Sequence, residues 1–101
     1  MENKLPLALK VNDLDNVATL FSNEGKAGCT VQVKDKKGES FTLTLKDQIP
    51  YGHKLALSDI GAGDDVTKYG ECLGQATKAI TPGEHVHVHN LDSKRGRGDM
   101  A

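Results

Sequence analysis

The chain reads as a mainly β protein, one small domain of short strands and tight turns with at most short helical turns. Three observations point there. Residues 29–45 hold two alternating segments around a charged turn that contains a glycine. From Ile49 onward, Gly52, Gly61, Gly63, Gly70, Gly74 and Gly83, with Pro50 and Pro82, leave no stretch long enough for an ordinary helix. The segment His85-Val86-His87-Val88-His89 alternates strictly, as a half-buried strand does.

The elements follow in order. Leu7-Ala8-Leu9-Lys10-Val11 is short, apolar and partly alternating, and suits a first strand. Asn12-Asp13-Leu14-Asp15-Asn16 is turn chemistry, since its side-chain oxygens can cap backbone amides. Val17 to Phe21 is compatible with a second strand or a short helical turn, and Asn23-Glu24-Gly25 turns again. A hairpin follows: Cys29-Thr30-Val31-Gln32-Val33 and Ser40-Phe41-Thr42-Leu43-Thr44-Leu45 flank the turn Lys34 to Glu39. Its inner face is expected to carry Phe41, Leu43 and Leu45, its outer face Thr42 and Thr44.

The second half repeats itself. Residues 56–66 and 76–86 align at a constant offset of 20 and share the pattern Ile-x-x-Gly-acid-x-Val. The glycine suits the φ > 0 position of a turn, and the valine starts the next strand. Two copies are too few for a solenoid and suggest a compact fold with two similar corners.

In a strand, side chains two apart share a face. His85, His87 and His89 are therefore expected on one face, with Val86 and Val88 packed into the core on the other. Same-face neighbours lie about 6.5–7 Å apart, so His85 and His89 would be about 13 Å apart. Two adjacent imidazoles can share one metal ion, but all three cannot do so without bending the strand. Further ligands would come from His53 or from a carboxylate of a second chain. Metal ligation, hydrogen bonding to substrate or partner, and a merely exposed row all remain open readings. Three adjacent imidazoles repel when charged, which makes the row a poor choice for stability alone. Pro50 and Gly52 are expected to present His53 and Lys54 at a loop tip, as solvated residues or as a cationic pair for a carboxylate. Lys68-Tyr69-Gly70 reads as a structural tip.

Composition excludes several functions. The chain has 101 residues, 13 basic and 14 acidic, for a net charge of −1. That balance, with only Phe21, Phe41, Tyr51 and Tyr69 as aromatics, offers nothing to a phosphate backbone or to stacked bases. No apolar run approaches the ~20 residues that span a bilayer, and the N-terminus has no signal-peptide core. A cytoplasmic location is expected, with Cys29 and Cys72 as free thiols. Phosphate loops, GxSxG elbows and nucleophile–base pairs are absent, so no catalytic residue is identified. The basic stretch Ser93 to Asp99 lacks hydrophobic period, and its Arg97-Gly98-Asp99 reads as a solvated tail or an arm on a partner rather than an adhesion signal.

Ile49-Pro50-Tyr51-Gly52-His53-Lys54-Leu55-Ala56-Leu57, Asp59-Ile60, Lys68-Tyr69-Gly70, Leu73-Gly74-Gln75-Ala76 and Gly83-Glu84-His85-Val86-His87-Val88-His89-Asn90-Leu91, with Asp15-Asn16-Val17-Ala18, resemble the SAF domain of the altronate/galactarate dehydratase family. The resemblance covers residues 7–91, leaving 1–6 as an N-terminal extension and 92–101 as a flexible basic tail. It implies a β-clip fold like that of type III antifreeze protein. In the sugar-acid dehydratases a large catalytic region follows this module, whereas here the chain stops about ten residues later. The match is similar to the arrangement in which the module is a separate small subunit, as in sulfolactate sulfo-lyase. The turn Lys34 to Glu39 is longer than expected for the shortest members.

The resemblance implies a lyase that eliminates water or sulfite from a sugar acid or other 2-hydroxy acid. It implies a separate large catalytic subunit and a divalent metal (iron, manganese or magnesium, with zinc also compatible). On that reading His87 and His89 hold metal, His53, Lys54 and His85 hold substrate, and the base belongs to the large subunit. The competing readings are a SAF module that binds a metal ion or sugar acid without turnover, and a structural or carbohydrate-binding role.

Overall fold

The hairpin anticipated at residues 29–45 forms as two five-residue strands, numbered in chain order as β3 (Thr30–Lys34) and β4 (Ser40–Thr44). The computed structural model describes residues 5–93. Cross-strand partners run from Thr30 opposite Thr44 to Lys34 opposite Ser40. Asp35 closes the turn: its Oδ1 accepts the N–H groups of Lys37 and Glu39, each at 2.9 Å, and Gly38 takes φ +91°. The inner face differs from expectation at its end. Leu45 is buried and Leu43 half-buried, but Phe41 is 45% exposed. The reason is position: β4 is an edge strand, and the apolar side there is filled by Val31 and Val33 of β3.

The other strands are β1 (Leu7–Leu9), β2 (Val17–Leu20), β5 (Lys54–Ala56), β6 (Asp65–Lys68), β7 (Glu71–Ala76), β8 (His85–Val86) and β9 (Leu91–Ser93). They make a six-stranded sheet, β4-β3-β1-β2-β5-β8, and a three-stranded sheet, β6-β7-β9. Among the described residues only β1 and β3 pair in parallel. Among the described residues there is no helix, so none is long and apolar enough to cross a membrane.

Residues 17–20 resolve as a strand. The alternation that would have marked them is missing because β2 is covered on both sides, as central strands are when both faces are packed. Ala18 and Leu20 join one core with Ala8, Val31, Val33, Leu45, Ile49 and Leu55. Val17 joins the other with Ala56, Ile60, Val66, Ala76, Ile80 and Val86. Burying each of these aliphatic side chains is worth about 1.5–3 kcal/mol before chain entropy is counted.

The internal repeat is a pseudo-twofold. Ile60 and Ile80 exchange both backbone hydrogen bonds, at 2.9 and 2.8 Å. Gly63 N–H donates to Ala76 C=O, and Gly83 N–H to Ala56 C=O. Each copy's turn thus grips the strand of the other. The acid plays one part twice: Asp64 Oδ2 accepts from Gly61 N–H, and Glu84 Oε2 from Thr81 N–H.

The loop before β2 ties the two sheets together. Buried Asp15 accepts the N–H groups of Asn12 and Gly70. Asn16 accepts from Thr67 N–H and donates to Asp65 C=O. At the other end, β9 pairs with β7 through Leu91, Asp92 and Ser93. Lys94, Arg95, Arg97 and the rest of the tail, like residues 1–4, lie outside the described residues.

Candidate functional site

Two edges of the fold bring the histidines together. The turn at Tyr51 and Gly52 (φ +82°) lets Gly52 N–H reach Leu20 C=O, while Leu20 N–H donates to His53 C=O. His53 is thereby fixed at the entrance to β5. Strand β8 pairs with β5, setting Leu55 opposite His85 and Lys54 opposite Val86. His85 is held from a second side, its N–H donating to Asp47 Oδ2 at 3.0 Å.

The histidine row is not one strand. Only His85 and Val86 are extended; the chain turns over residues 87–90. Asn90, 1% exposed, makes that bend. Its Oδ1 accepts from His87 N–H at 3.0 Å and its Nδ2 donates to His85 C=O at 2.8 Å. The N–H groups of Asn90 and Leu91 then close on His87 C=O. Two expectations change as a result. Val86 is buried, but Val88 sits on the turn and is 80% exposed instead of packed. The His85 and His89 rings, expected about 13 Å apart along an extended strand, have centroids 5.4 Å apart.

All four imidazoles therefore share one cluster. His85 and His87 stack at 5.4 Å with a 7° angle between planes. The His53 ring lies 5.0 Å from that of His85 and 4.7 Å from that of His87. His53 Nδ1 is 2.9 Å from His85 Nε2, a hydrogen bond that needs one protonated and one bare nitrogen. Partial burial pushes the His85 imidazole below its ordinary pKa, and His53, His87 and His89 push the same way against Asp47. His87 is lowered too, by desolvation first and then by the charges of His53, Lys54 and His89. For His85 and His87 the neutral imidazole, with a lone pair available, is therefore favoured.

Lys54 is not at a loop tip. It opens β5, half-buried, and burial followed by the charge of Lys68 lowers its ammonium below the usual lysine range. The tip itself is Tyr51, 57% exposed. Lys68-Tyr69-Gly70 is the structural tip anticipated: Tyr69 (φ +56°) and Gly70 (φ +75°) form the β6–β7 turn, with Lys68 Nζ 4.8 Å from the Tyr69 ring centroid.

His53, His85 and His87 each place one ring nitrogen so that all three lie within 4.8 Å of one another. His89 is outside that trio. Nitrogen–metal bonds near 2 Å are compatible with this spacing after small rotations of the rings. An all-imidazole donor set suits iron or zinc better than magnesium or manganese, which prefer oxygen. The sequence pointed to neither Asp47 nor Asn90. Asp47 had no signal, whereas Asn90, a turn-favouring residue directly after the row, was readable as its end.

Comparison with known proteins places this arrangement. A family model described as the altronate/galactarate dehydratase SAF domain matches residues 6–94. The chain is 40% identical over 88 residues to the (2R)-sulfolactate sulfo-lyase subunit alpha of Chromohalobacter salexigens, taking in 84% of this chain and 93% of the relative. It is 49% identical over 55 residues to the subunit of the same name in Paracoccus pantotrophus, covering 54% of this chain and 82% of the relative. It is 40% identical over 82 residues to the altronate dehydratase of Escherichia coli, where the match takes in 81% of this chain but only 15% of the enzyme. The chain belongs to the altronate/galactarate dehydratase SAF domain family.

Proposed function

We propose that the chain is the small subunit of a metal-dependent lyase, working with a separate large catalytic chain to eliminate water or sulfite from a sugar acid or other 2-hydroxy acid. The supporting observation is the contrast in coverage: nearly all of a sulfo-lyase subunit alpha, but 15% of an altronate dehydratase. A module that is a whole subunit in one setting and a small fraction of an enzyme in another contributes a surface rather than a full active site.

That surface is the histidine cluster. A divalent ion, with iron or zinc favoured by the donors, would be held by His53, His85 and His87 and would polarise substrate oxygens. We assign His53 and His85 to the metal rather than to substrate because their ring nitrogens gather with that of His87, and leave His89 beside His85. His85 and His87 serve as ligands in the neutral form that their surroundings favour. Lys54 offers an ammonium to the substrate carboxylate. The proton α to the carboxylate is taken by the large chain, since the carboxylate acting on the cluster, Asp47, is engaged by His85 N–H. The setting we assign is the cytoplasm, where Cys29 and Cys72 remain reduced.

The test is co-expression with the large dehydratase-type chain of the same genome, followed by assays on (2R)-sulfolactate, altronate and galactarate. Copurification and turnover that neither chain gives alone are expected. A large chain that is fully active alone, or that does not associate, would leave a binding module for a metal or sugar acid instead.

A further inference from the structure

Apolar side chains stand unusually exposed around the histidine cluster. Val88 lies between His87 and His89 at the apex of the Asn90-locked turn, 80% exposed. Tyr51, 57% exposed, sits two residues before His53 across a tight turn and packs edge-on against exposed Phe21, with ring centroids 6.1 Å apart. These side chains are rigidly presented, because both turns are fixed by backbone and asparagine hydrogen bonds. Rigid, exposed aromatic and aliphatic groups beside a polar site are the composition of an interface core.

Two ammonium groups stand beside the cluster: Lys54 opens β5 directly after His53, and Lys68 is close enough for its charge to act on Lys54. The carboxylate of Asp47 is engaged by His85 N–H. The ion pair between Lys37 and Asp13 involves neither of these lysines. A surface of this sign complements a partner that presents carboxylates.

We propose that the face framed by Tyr51, Phe21 and Val88 is where the large catalytic chain docks, placing its own carboxylates over the histidines. This rests on the lyase reading above. It adds which face is covered: β8, the edge of the six-stranded sheet opposite β4, together with the Tyr51 and His87–Asn90 turns. Hydrophobic contacts at Val88 and Tyr51 supply affinity, and the charges set orientation.

The experiment is copurification and affinity measurement of the full chain with the co-expressed large chain. Tyr51→Glu and Val88→Glu change exposed side chains and introduce repulsion toward carboxylates; Leu14→Glu and Phe41→Glu change other exposed apolar residues, on the loop before β2 and on the opposite edge strand β4. Thermal unfolding of each free variant confirms the fold. The expected result is a loss of about tenfold or more in affinity for the first pair and little change for the second. Equal loss in both pairs, loss in the second alone, or no loss in either would overturn the proposal while leaving the lyase reading intact. Failure of the unsubstituted chain to bind the large chain would instead overturn the lyase reading, and this docking face with it.

Discussion

His53 Nδ1 and His85 Nε2 lie 2.9 Å apart, although 32 positions separate the residues. The contact exists because β8 pairs with β5 in a register that sets His85 opposite Leu55, two residues from His53. The hydrogen bond between the rings requires one unprotonated nitrogen.

Stability should therefore fall in mild acid. His85 and His87 have native pKa values below the ordinary 6.5. The unfolded chain then takes up protons at a higher pH than the native one. Stability is at its plateau above 6.5, declines as pH falls through the interval down to the native values, and levels off below them. Urea midpoints measured at about pH 7.5 and 5.5 should show the decline, and His85→Gln with His87→Gln should flatten it. An unchanged slope in the double variant would place the titration elsewhere.

Metal binding should follow the trio rather than the sequence row. Zinc titrated by calorimetry into the isolated chain should bind at least about tenfold more weakly to His53→Ala and to His87→Ala, and nearly normally to His89→Ala. Equal losses at His87 and His89 with none at His53 would restore the extended arrangement.

Asn90 should matter as much as any core aliphatic. Asn90→Ala removes two side-chain hydrogen bonds at a fully buried position and strands the C=O of His85. A loss of about 2–3 kcal/mol is expected by denaturant unfolding. Asn90→Asp keeps the acceptor but turns an anion toward that carbonyl, and should not recover the loss.

The two repeat glycines should respond unequally. Both take left-handed conformations, Gly63 at φ +88° and Gly83 at φ +90°. A Cβ at Gly63 would meet open space, whereas one at Gly83 would run into the carbonyl oxygen of Thr44. Gly63→Ala should cost about 1–2 kcal/mol from the backbone alone. Gly83→Ala should cost about 1–3 kcal/mol more, because a backbone carbonyl must move.

The sequence made much of this legible where the physics is local. The β3–β4 hairpin carries its own turn chemistry at Asp35 and Gly38, and the offset-20 repeat became the Ile60–Ile80 corner because each copy holds a full turn. What escaped depends on distant partners. Periodicity at 85–89 suggested a strand, but the side chain of Asn90 folds the chain back after Val86 and leaves Val88 in water. Phe41 alternates correctly and is still exposed, because no strand lies beyond β4. Val17–Leu20 showed no alternation because cores lie on both sides. His53 was a candidate from sequence, but its contact with His85 required the β5–β8 register.

In the proposed two-chain lyase, the cluster of His53, His85 and His87 serves turnover. Elimination by the copurified pair carrying His87→Ala measures it most directly. The predicted result is a pair that assembles normally and loses about a hundredfold or more in kcat. Undiminished turnover in that assembled variant would contradict the account.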